Sequence, residues 1–157
     1  MNFGNVNNSA QTRTNPNNMA QLLQNITRVE FIETRYLHNL MLIGNNEVTL
    51  QYWRNFTELP IIGLADMEVS ESIENGSRLT TVKLTARTAC DYPAGAPRRH
   101  AWRVTTVTGE QYLIGTTEQP FPVTLVTDSY PGKSTEPSGK TITVVWQSSL
   151  GLLEIVG

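Results

Sequence analysis

The 157-residue chain contains one cysteine, two histidines and no long apolar run, and each shortage removes a class of reading. Cys90 alone cannot close an intramolecular disulfide, so nothing implies an oxidising compartment, and a small core residue is the expected role. His38 and His100 lie far apart, and neither has a Cys, Asp or Glu at metal-ligand spacing, so no zinc site is expected. No apolar stretch approaches the roughly 20 residues that a membrane span needs. The opening MNFGNVNNSA has neither a basic nor an apolar signal region, so no signal peptide is expected. The N-x-S/T patterns at Asn7, Asn25, Asn55 and Asn75 then read as products of an Asn/Thr-rich composition. Charged residues make up only 17% of the chain, below the usual ~25%. A net charge of −2 and a pI of about 5.7 give no bulk attraction for nucleic acid or an anionic membrane.

Catalytic motifs are missing as well. No G-x-S-x-G elbow occurs. Gly132-Lys133-Ser134 and Gly139-Lys140-Thr141 resemble the end of a phosphate-binding loop. Both lack its first glycine, and both lead into loop or strand rather than a helix. Asp66, Glu68, Glu71 and Glu74 lack the residue order of a calcium loop. Aromatics beside Arg103 would suit a single-strand nucleic-acid platform only on a more basic chain. No enzyme, metal site or cofactor is therefore expected.

What the chain does have is neutral polar surface and β patterning. Thr, Ser, Asn and Gln replace the missing charges, and neutral groups cost less to bury at a contact than charges do. Around the turn Thr108-Gly109-Glu110, Trp102, Val104 and Thr106 alternate with Arg103, Thr105 and Val107, and Gln111–Gly115 resumes the pattern, which predicts a hairpin. Asp66–Ile73 and Arg78–Thr88 flank Asn75-Gly76, the strongest short-range hairpin signal. Further strands are expected from Arg28 toward Tyr36, in a hairpin over Asn39–Trp53, and at Val123–Thr127 and Lys140–Ser148, with a short apolar end at Leu150–Val156. Trp102, Val104, Ile142, Val144 and Trp146 share inward faces. Met19–Ile26 has apolar residues three and four apart and predicts a short helix.

The expected fold is all-β, an antiparallel β-sandwich or β-barrel with a short N-terminal helix and an extended polar N-terminal arm. Residues 1–25 form the arm with its helix, and residues 26–157 form a single β domain. Residues 1–18 and the loop 128–139 hold too little apolar area to offset the backbone entropy of ordering. Both are expected to order on other subunits, through Asn2, Asn5, Asn7 and Asn8 in the arm. Asp66, Glu68, Glu71 and Glu74 form an acidic set on one predicted strand, and Arg98, Arg99 and Arg103 a basic one. In a head-to-tail ring or stack these sets meet on neighbouring copies.

The order of the Asn75-Gly76 hairpin, Ala101–Thr106 with its glycine turn, Tyr112-Leu113-Ile114-Gly115-Thr116, Pro120–Pro122 and a closing Thr-rich strand resembles small virion structural proteins of tailed bacteriophages and prophages. Tail-tube-like and neck proteins are the nearest in kind. The resemblance spans roughly Arg78 to Glu154. It implies a non-catalytic subunit of a tail or head–tail connector that assembles with copies of itself and other virion proteins. No membrane and no specific nucleic acid enter that reading, and the location is the virion, assembled in the host cytoplasm. The alternative is a carbohydrate- or ligand-binding β-sandwich that uses Trp53, Tyr92 or Tyr130 as a stacking platform.

Overall fold

The structure, a computed structural model, describes residues 19–37, 40–43, 46–50, 56–90, 92, 99–129 and 139–156. Among them are eleven strands: β1 Met19–Glu33, β2 Leu40–Ile43, β3 Glu47–Leu50, β4 Thr57–Leu59, β5 Ala65–Glu74, β6 Ser77–Thr88, β7 His100–Thr106, β8 Gln111–Ile114, β9 Val123–Ser129, β10 Gly139–Ser148 and β11 Leu153–Ile155. Thr34–Tyr36 is a single 3-10 turn, and the described residues contain no α-helix.

All eleven strands join one sheet in the order β9-β10-β6-β5-β1-β7-β8-β11-β3-β2, with β4 against β1. The sheet curls into a half-barrel. The pairing is antiparallel except between β11 and β3, which run parallel through Glu154↔Glu47 and Ile155↔Val48. The expected all-β class holds, and the purely antiparallel expectation is corrected by that one pair.

The expected helix at Met19–Ile26 is overturned. The segment is the first half of β1, hydrogen-bonded to β5 from Met19↔Glu71 to Ile26↔Ala65. From Ile26 to Glu33 the same strand pairs with β7. β1 therefore belongs to both wings of the sheet. A bulge at the changeover makes this possible, with Asn25 at φ 67° and register shifts on both sides of Ile26. Bulges bend and twist a strand, which is what a sheet needs to curl back on itself.

The strongest turn signal behaves as its chemistry requires. Asn75 and Gly76 take φ 53° and 79° and join β5 to β6 in unbroken register from Glu74↔Ser77 to Asp66↔Thr85. Trp102, Val104, Ile142, Val144 and Trp146 are all buried, as their alternation predicts. Register partners lie on one face, so Met67, Leu84 and Val144 form one inner row, and Val69, Val82 and Trp146 the next. Phe31, Tyr92, His100 and Trp102 pack as an aromatic cluster with centroids 5.1–5.4 Å apart. Within it the Tyr92 hydroxyl and His100 Nδ1 share a hydrogen bond. Cys90, expected in the core, is exposed, because it follows the end of β6 where the chain leaves the sheet.

Gly115 closes β8 at φ 106°, and a Cβ there would lie 2.8 Å from Pro122 Cγ and 3.3 Å from Ala101 Cβ. Gly115→Ala combines a disfavoured backbone region with a clash against a rigid ring, so we expect a loss of about 2–4 kcal/mol in reversible denaturation. A loss under about 0.5 kcal/mol would contradict this packing.

Candidate functional site

The acidic set does not share a face. Asp66, Glu68 and Glu74 are exposed on the outer side of β5, where Glu68 registers with Lys83 and Glu74 Oε2 accepts a 3.5 Å hydrogen bond from the Ser72 hydroxyl. Glu71 has the opposite parity, follows Met67 and Val69 on the concave side, and meets Arg78 at 3.5 Å. The basic set separates further. Arg99 is exposed, with its guanidinium 4.6 Å from the centre of the Phe121 ring. Arg103 does not belong to a surface patch. It is buried, it donates two 2.9 Å hydrogen bonds to Glu30, and it lies 4.1 Å from the centre of the Phe56 ring. Arg98 lies outside the described residues, as do Asn2, Asn5, Asn7 and Asn8 of the arm. Of the loop 128–139, Asp128, Ser129 and Gly139 extend the β9–β10 ladder through Asp128↔Lys140 and Ser129↔Gly139, and the rest lies outside.

Tyr92 is withdrawn as a stacking platform, since it is buried in the aromatic cluster. Trp53 and Tyr130 lie outside the described residues. No group of three or more His, Cys, Asp or Glu among the described residues is placed to hold a metal ion. No helix among them is long and apolar enough to cross a membrane.

The feature that sequence patterning missed is the pair of sheet edges. Among the described residues, β9 pairs only with β10, and β2 only with β3. Each edge carries exposed apolar side chains: Val123 at 59% and Leu125 at 58% on β9, and Met41, Leu42 and Ile43 on β2. Among the described residues, three other large apolar residues, Leu64, Ile73 and Val107, are comparably exposed. Among the described residues, the exposed apolar surface is thus concentrated at strands that have a pairing partner on one side only. Sheet proteins that remain single usually protect such edges with Lys, Pro or a covering segment. β9, VTLVTDS, has neither Lys nor Pro within it. The alternation of Val123 and Leu125 was visible in sequence, but only the strand order reveals that β9 is terminal.

The comparisons add no relative. No family model, no curated protein and no solved structure matches the chain significantly.

Proposed function

We propose that this chain is a non-catalytic structural assembly protein, a subunit of a tail or head–tail connector of tailed bacteriophages, whose copies join edge to edge into a ring or tube. The supporting observation is a sheet that, among the described residues, has two unlike apolar ends with no pairing partner. Adding a strand to a bare edge satisfies its backbone groups and covers its apolar side chains in one step. The two ends differ in length and sequence, so β9 of one copy meets β2 of the next. Contacts of that heterologous kind close into rings or extend into helical tubes. The sequence resemblance supports the narrower virion reading, with copies of the chain and other virion proteins as partners.

Leu125→Lys together with Val123→Lys places two charges on the β9 edge without touching the core. Wild-type protein is expected to sediment as a large oligomer and the double variant as a 17.5 kDa monomer with the same melting temperature. Equal association of the two proteins in sedimentation velocity would overturn the proposal.

A further inference from the structure

A cleft of about 480 Å³ opens at one end of the half-barrel, between the β5–β6 wing and the β8–β11–β3 wing. Its walls are two registered rows. On one side Glu71 faces Thr80 across β5 and β6, with Arg78 beside them. On the other, Tyr112 registers with Glu154, and Glu154 with Glu47. Three carboxylates against one guanidinium leave the cleft with two unbalanced negative charges. The guanidinium is already engaged, since Arg78 lies 3.5 Å from Glu71.

Two further observations favour a cation at this place. Glu47 and Glu154 are direct cross-strand neighbours, a like-charge pairing that destabilises a sheet. Although the Glu154 N–H donates to the Asn46 carbonyl at 2.7 Å, neither side-chain carboxylate has an ion-pair or hydrogen-bond partner among the described residues. On the facing wall Thr80 is only 1% exposed, and its hydroxyl has no hydrogen-bond partner among the described residues. A buried orphan hydroxyl is costly unless a ligand or water meets it. The Tyr112 ring forms an aromatic wall, the surface over which an organic cation is attracted. Burial first, and then the charges of Glu154 and Glu110, hold its phenol above the ordinary value of 10.0, so the wall stays neutral. Gly151, at φ 84°, keeps the lip open: a Cβ there would lie 3.3 Å from Asn46 Oδ1 and 3.9 Å from Thr80 Oγ1.

We infer that this cleft binds an organic cation, a guanidinium or ammonium group, between Glu47 and Glu154 and against Tyr112. A compact inorganic ion would not use the aromatic wall or fill the volume. The cation belongs either to a free small amine or to a basic side chain of a neighbouring copy. The inference is independent of the edge-to-edge assembly, because the cleft lies on the concave side and shares no residue with β9 or β2.

The test titrates full-length protein with L-argininamide at low salt, followed by calorimetry and by the amide resonances of Tyr112 and Gly151. L-citrullinamide, which has a neutral side chain, is the control. Argininamide is expected to saturate the wild type and to bind E47Q/E154Q at least about tenfold more weakly, the loss of two charge-assisted contacts. E154Q alone should lie between them. Both variants should melt no lower than the wild type, since each relieves repulsion. Sedimentation of E47Q/E154Q separates the sources. Weakened association identifies a basic side chain of a second copy, and unchanged association identifies a free amine. No saturation of the wild type, equal binding of citrullinamide, or unaltered argininamide binding by E47Q/E154Q would overturn the inference. V123K/L125K leaves the cleft intact, so a failure here is distinct from a failure of the assembly proposal.

Discussion

Trp146→Ala is expected to destabilise the protein by about 3–5 kcal/mol, among the largest losses of any single truncation in this core. Trp146 is 1% exposed and registers with Val82 within the β6–β10 pairing. Its indole Nε1 also donates a 3.0 Å hydrogen bond to the carbonyl of Pro120, tying the connection after β8 to the inner face. Alanine removes the largest side chain of that row and strands the carbonyl, and the ladders on both sides of β10 prevent the backbone from collapsing into the space. In a domain of this size the melting temperature should fall on the order of 10 °C. Reversible denaturation in urea measures the loss directly, and a value below about 1 kcal/mol would place this face at the surface.

The second large effect concerns the ion pair on the other side of the sheet. Glu30 and Arg103 are register partners on β1 and β7, with bonds of 2.9 Å from Nε to Oε1 and from Nη2 to Oε2. Their side chains are 4% and 10% exposed. Arg28, itself half-exposed, is the nearest other cation to Glu30, at 3.5 Å. Arg103→Met therefore leaves a buried carboxylate with only the half-exposed Arg28 beside it, and a loss toward the lower end of about 3–5 kcal/mol is expected. The same reasoning predicts that Glu30→Met added to Arg103→Met restores most of the loss, because replacing both charges by apolar groups removes the desolvation cost on each side. A double-mutant cycle read by chemical denaturation checks this. An Arg103→Met loss under about 1 kcal/mol, or a double variant no better than the single, would contradict a buried, mutually dependent pair.

The residues that were legible in sequence are those whose signal is local. Asn75-Gly76 specifies its turn by tolerance of positive φ, and the alternation of Trp102 and Val104 or of Ile142, Val144 and Trp146 specifies which face turns inward. The Met19–Ile26 segment misled because a bulge imitates helical spacing. Leu23 registers with Met67 and Ile26 with Ala65, so a two-residue step on β5 is matched by a three-residue step on β1. Val29 follows Ile26 after three more residues for the same reason. The role of Arg103 was hidden because Glu30 lies 73 residues away in sequence. Parity alone could have removed Glu71 from the acidic set, since it is odd where Asp66, Glu68 and Glu74 are even. The parallel contact of Glu154 with Glu47, and the terminal positions of β9 and β2, depend on strand order, which one sequence does not carry.

Edge-to-edge joining of unlike strands is tested most directly by cross-linking. In a Cys90→Ser background, which removes the exposed native thiol, Leu125→Cys on β9 and Leu42→Cys on β2 are made singly and together, then treated with a short bis-maleimide. The double variant should give a ladder of covalent multimers ending at a fixed ring size or continuing as tubes, and each single variant should stay monomeric on a denaturing gel. Dimers from Leu125→Cys alone would show that like edges meet, and the absence of any ladder from the double variant would show that these edges do not join copies at all.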